Sequence, residues 1–258
     1  MKIIIAPKYL GLFVLILAAI FSCLVLAQSM GTSETDQRGL VTYVEGSAKK
    51  QKLTEVEWTN VQNNTQVASG ERVRTFTQSR AELDLAQLDI IRMAPKTTID
   101  ILKLYEETKD QILETNISLQ EGDLWANVKK KPENMSFSIG TPITAAAITG
   151  TTLRMNVDPD SSSQLRVYHG EVVITNAPQS SSVIPKSIEP YEIEGPHEVP
   201  GPHEVSMEEW ALIVKSMQQV KIDKNGQVVS SGNFTATDPD ENTAWVKWNL
   251  QRDRAAHR

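Results

Sequence analysis

The sequence predicts an all-β body with an extended linker and a short α-helical C-terminal extension. Three observations carry that reading. Apolar and polar residues alternate at period two through many short segments between residues 38 and 176. Turn residues separate those segments. Clear amphipathic helical patterns occur only near the C-terminus.

The 258-residue chain opens with Lys2 and Lys8, then an uncharged apolar run from Leu10 to Ala27. Residues 1–27 read as a signal peptide or membrane anchor. Val25-Leu26-Ala27 fits a small-residue cleavage site, making Gln28 the mature start. The same run is near the lower length limit for a membrane span, so an uncleaved anchor through residues 10–27 stays open. Lipidation at Cys23 is a third reading. All three place the remainder outside the cytoplasm, in the periplasm or beyond, or anchored to the inner membrane. Cys23 is the only cysteine, so an exported body has no disulfide and no cysteine-based metal site. The net charge of -6 excludes a general nucleic-acid binder, which needs a basic footprint.

In "SRAELDL", Ala81, Leu83 and Leu85 share one face against Arg80, Glu82 and Asp84. "MSFSI" sets Met135, Phe137 and Ile139 against serines, and "TTLRMNV" sets Leu153, Met155 and Val157 against Arg154 and Asn156. "QLRVYHGEVVI" predicts a hairpin turning at His169-Gly170. Residues Leu102 to Asn116 lack a clear stripe and read as a strand end followed by a solvated connection.

Residues 177–205 are dense in Pro and Ser and read as an extended linker. Within it "GPHEVP" is followed by "GPHEVS". His197, Glu198, His203 and Glu204 are a metal-ligand pattern there, but prolines dilute them below the density of a committed site.

Residues 206–258 predict a helix-hairpin-helix extension. Ser206 and Glu209 form a capping box. Trp210, Ile213, Val214 and Met217 follow at helical spacing. Asn225-Gly226 marks a turn. Asp223 and Asn225 match only part of a calcium loop. A second helix starts at Asp238-Pro239, with Glu241 completing the cap pattern and Trp245 and Trp248 docking it. The basic tail of Arg252, Arg254, His257 and Arg258 reads as solvated or frayed.

The catalytic inventory is thin. Among the four histidines, His169 sits at a turn, His197 and His203 in the linker and His257 in the tail. No G-x-S-x-G, H-E-x-x-H or P-loop occurs. Glu106-Glu107 lies in polar context. The sequons at Asn63, Asn116, Asn134 and Asn233 carry no weight without a eukaryotic secretory route. The stretch "ITGTTLRMNV" reads as structure, with Gly150 allowing a tight bend and Thr151 and Thr152 leading into a strand. We expect no catalytic residues, no cofactor and no bound metal.

Several pieces fall in a recognisable series: "VTYVEGSAKK", "EWTNVQNNTQVASGERVRTFTQSRAELDL", "MAPKTTIDI", "EGDLWANV", "FSIGTPITAAAITGTTLRMNV" and "RVYHGEVVI". In this order they resemble the FecR domain over about residues 40 to 176. The resemblance implies a compact β-solenoid-like or jelly-roll-like domain. Two positions depart from it: Thr149 stands where many relatives have arginine, and Leu153 where an aromatic often follows. FecR-type regulators carry a cytoplasmic anti-sigma segment before their span. Only Met1–Tyr9 precede the apolar run here, so sigma-factor control by this chain is not expected.

The functional expectation is a non-enzymatic envelope protein that binds, scaffolds or signals through another envelope protein. The alternative is a module for peptidoglycan or another cell-wall glycan. Its candidate platforms are Trp58 and Trp125, whose more ordinary reading is as buried strand tryptophans.

Overall fold

Buried and exposed positions alternate along most strands because each strand packs one face inward. The computed structural model describes residues 39–86, 89–176 and 210–256. The strands are β1 (Gly39–Glu45), β2 (Ala48–Lys52), β3 (Thr59–Val61), β4 (Gln66–Val67), β5 (Glu71–Thr75), β6 (Arg80–Leu85), β7 (Asp89–Met93), β8 (Thr98–Glu107) and β9 (Leu113–Val128). They continue with β10 (Met135–Gly140), β11 (Ala145–Ile148), β12 (Thr152–Val157), β13 (Ser163–His169), β14 (Glu171–Thr175), β15 (Ala211–Lys215), β16 (Gln218–Ile222) and β17 (Val228–Asn233). A 3-10 turn at Pro239–Asn242 leads into α1 (Ala244–Ala256), the one α-helix among the described residues.

The strands form one hydrogen-bonded network, folded into two layers. In the first layer β1 lies between β4 and β6, followed by β7, the second half of β9, β12, β13, β16 and β17. The second layer runs β3, β2, β5, β8, the first half of β9, β10, β11, β14 and β15. Among the described residues only β9 and β10 pair in parallel. Antiparallel hairpins dominate, so the expected jelly-roll-like form describes the sheets better than a solenoid of parallel coils.

Both layers feed one buried cluster. Leu83, Ile91 and Leu165 enter it from the first, and Ile99, Ile117 and Ile139 from the second. The expected inward faces of β6, β12 and β13 are buried as read. The 16-residue β9 belongs to both layers. It changes layer at Gly122, where φ is +103° and a Cβ would sit 2.6 Å from the Thr97 Cα. Only glycine fits there.

Three expectations are corrected. The segment turning at His169-Gly170 is no hairpin. β13 pairs with β12 and β16, and β14 with β11 and β15, so the chain steps between layers at Gly170. Leu102 to Asn116 is mostly strand, and only Thr108–Ile112 connects β8 to β9. Its alternation is hidden by register shifts at Ile101/Lys103 and Lys103/Glu106, with Tyr105 at φ +50°.

The third correction is the first C-terminal helix. Residues 211–222 form β15 and β16 instead. β14 and β13 offered open edges, and pairing with them outweighed the helical pattern. Met217, at φ +62°, turns the chain between the two strands. Ser206 and Glu209 lie outside the described residues. The predicted turn at Asn225-Gly226 is present between β16 and β17.

Candidate functional site

Strand pairing lines up one cross-strand row on the outer face of the first layer. Tyr43 faces Glu82, Glu82 faces Arg92, Arg92 faces Trp125, Trp125 faces Arg154, Arg154 faces Arg166 and Arg166 faces Gln219. Paired residues share a face, so alternation that sends Leu83 and Leu165 inward puts this row outward.

The C-terminal segment lies across the row. Arg166 donates to Asp240 (2.8 Å) and Glu241 (2.9 Å), and the Tyr168 hydroxyl donates to Glu241 (2.8 Å). The Trp245 indole donates to Asp123 (3.0 Å), which also holds Arg154. Asp253 accepts from Arg92 (2.7 Å) and from the Trp125 indole (3.0 Å). At the far end Arg252 forks onto both oxygens of Glu82 at 2.7 Å. Trp248 stacks on Trp245 and meets Tyr43, with Arg80 and Arg252 over its ring.

Glu82 is the most heavily used carboxylate of the set. Thr42, Arg92 and Arg252 all donate to it. Burial alone would raise its carboxyl, but these hydrogen bonds outweigh burial and hold it down to about 2. Burial pulls Arg154 down, yet its hydrogen bonds to Asp123 keep it above the usual arginine value. The hydrogen bond from Arg166 lowers Asp240. Burial, then the charge of Glu241, raises the Tyr168 phenol. The row is therefore an interlocked set of ion pairs, with Arg92, Arg166, Glu82 and Glu241 all nearly inaccessible. Such pairs fix the register of the helix on the sheet more than they add net stability.

The sequence-predicted site residues are not brought together by this arrangement. Trp125 is fully buried, bonded to Asp253 and packed at 4.4 Å on Tyr168. It presents no ring face to a glycan, and of its two readings the buried strand tryptophan is the one that describes it. Trp58 is half-buried in the segment before β3. His169 is exposed. His197, Glu198, His203, Glu204 and His257 lie outside the described residues. Asp223 accepts the backbone N–H groups of Asn225 and Gln227 within its turn. Arg252 is corrected from a solvated tail residue to a docking residue. Arg254 remains exposed.

The "ITGTT" stretch is structural. Gly150 has φ +71°, and a Cβ there would lie 2.9 Å from the Lys130 Cα. The buried Thr151 hydroxyl donates to the Glu171 carbonyl. Thr152 pairs across the strands with His169, and among the described residues no side-chain hydrogen bond joins the two.

Sequence reasoning missed the row itself. Its signal was present in the polar faces of "RAELDL" and "TTLRMNV". Which arginine meets which acid depends on pairings between distant strands.

Residues 71–173 match the family model described as FecR protein, so a FecR domain occupies that stretch. No curated protein matches the sequence significantly. Two solved structures, each described as a candidate anti-sigma factor from Parabacteroides distasonis ATCC 8503, are similar to this chain. Their TM-scores are 0.44 and 0.43, with 11% and 14% identity, each over 64% of this chain. The chain spans about 60% of the length of those solved chains.

Proposed function

We propose that this is a non-enzymatic FecR-domain protein of the cell envelope that binds another envelope protein, as a scaffold or signalling module. The leader pattern of Lys2, Lys8 and Leu10–Ala27 supports export. The observation that carries protein binding is the unpaired side of the sandwich formed by β15 and β17. Among the described residues β17 pairs only with β16, and all six of its residues are exposed. Val229 is 62% exposed and Ile213, on β15, 60%. The edge carries no charged gatekeeper and no proline along "VVSSGN", so it is open to an added strand. The charged outer face, by contrast, is occupied by the chain's own helix.

The test is crosslinking of the tagged full chain in its native envelope, read by mass spectrometry. We expect one enriched envelope protein, lost when Ile213→Asp and Val229→Asp are introduced together. No enrichment, or enrichment unaffected by the double variant, would overturn the reading.

A further inference from the structure

Away from the charged row, a second polar cluster lies buried where β7 begins and β9 ends. Asp89 is fully buried at the start of β7, and the side chain of Lys131, just beyond β9, is 4% exposed. The Lys131 ammonium nitrogen contacts Asp89 Oδ2 directly. The Tyr105 hydroxyl shares its one proton between that same oxygen at 2.7 Å, the shorter contact, and the Leu85 carbonyl at 2.9 Å. The other oxygen, Oδ1, accepts the backbone N–H of Lys129 at 3.0 Å. The rings of Tyr105 and Phe137 flank the lysine nitrogen at 5.6 and 5.7 Å.

This arrangement is more specific than an ion pair requires. The amine, a carboxyl oxygen and a phenolic O–H meet at one point, and a backbone donor is fixed on the second oxygen. Tyr105 is held there at φ +50°, a conformation that bulky residues rarely adopt. A charged pair is costly to bury among aromatic rings, and passing one proton from amine to carboxylate removes both charges. An uncharged amine and an uncharged carboxylic acid are the pair from which an amide can form.

We propose that Lys131 and Asp89 join in an intramolecular amide, a covalent staple between the start of β7 and the segment after β9. The Lys131 Nζ attacks Asp89 Cγ. The developing charge on Oδ1 is held by the Lys129 N–H, in the manner of an oxyanion hole. Tyr105 serves Oδ2 as general acid, and its proton is replaced by the one the amine releases. The Nζ–Cγ bond forms, the Cγ–Oδ2 bond breaks and Oδ2 leaves as water. Atoms balance without an oxidant or cofactor. Burial and the neighbouring Asp89 charge raise the phenol of Tyr105, keeping it protonated for this role.

The staple has a physical rationale in a chain whose single cysteine, Cys23, leaves no partner for a disulfide. The test uses the purified full chain, denatured and digested, with its N-terminus read directly. The expected result is a protein lighter than its sequence by one water, and a branched peptide joining the segments of Asp89 and Lys131. Lys131→Arg, which keeps the cation, should restore the full mass. Tyr105→Phe should leave a fraction unjoined. The wild-type digest decides even if a variant fails to fold. Recovery of Asp89 and Lys131 on separate, unmodified peptides, as a plain buried ion pair requires, would overturn the proposal.

Discussion

Glu82 shows how much one side chain can organise. It lies on the polar face of β6, between core residues Ala81 and Leu83. One carboxylate there takes donors from β1, β7 and α1. Replacing it by Gln keeps the shape but leaves Arg92, 3% exposed, short of a counter-charge. Because Arg92 keeps its pair with Asp253, we expect Glu82→Gln to cost about 1.5–3 kcal/mol, the loss of charge-assisted hydrogen bonds, and not the full penalty of an orphaned buried charge. Urea unfolding would read this, and a loss under 1 kcal/mol would show that the row is slack. The alternation of "RAELDL" made this position visible as a polar outward residue. Its burial was invisible, because what covers it comes from a helix far along the chain.

The docking of α1 was half legible. Asp238-Pro239 announced a helical start and Trp245 and Trp248 announced a buried side. The structure moves the cap. Asp238 makes no side-chain capping bond to the 3-10 turn, whereas the Thr243 hydroxyl accepts the Val246 N–H at 3.2 Å. Thr243→Ala should therefore cost about 1 kcal/mol, and Asp238→Ala, which loses only exposed bonds from Thr235, about 0.5 kcal/mol. Equal losses in thermal melts would return the cap to Asp238. The misread segment at 211–222 teaches the complementary lesson. Its stripe of Trp210, Ile213, Val214 and Met217 is genuine, yet Val214 alone among them is buried. One short window, Val220–Ile222, also alternates, Leu212–Val214 is a plain apolar run, and open strand edges selected the extended form. Local periodicity cannot report which edges the rest of the chain leaves vacant.

At the scale of the molecule, the carboxylates of the row make stability depend on acid in a defined direction. The Glu82 carboxyl falls from an ordinary value near 4.5 to about 2 in the fold. Its contribution is fully present above the unfolded value and is lost as pH falls through about 2. Asp240, lowered in the same sense, adds to the loss. Denaturation midpoints should be level from about pH 7 to 5 and decline below about pH 4.5, with Glu82 accounting for about 3 kcal/mol. In Glu82→Gln that decline should shrink. An unchanged slope would assign acid sensitivity to other carboxylates. The all-β class was legible because period-two burial is local. The layer assignment was not, since β13 and β14 look like a hairpin and belong to different layers.

The pairing of β6 with β1 and of β13 with β16 sets a limit on dissection. A fragment cut at residues 71 and 173 would retain the whole matched stretch. It would also strip a neighbour from each flank of the first layer, because β1 and β16 lie beyond those cuts. Raw backbone donors and acceptors would then line both flanks, and α1 would no longer shield Trp125. The smallest piece that can fold as this structure does is larger than the piece that can be recognised by its sequence.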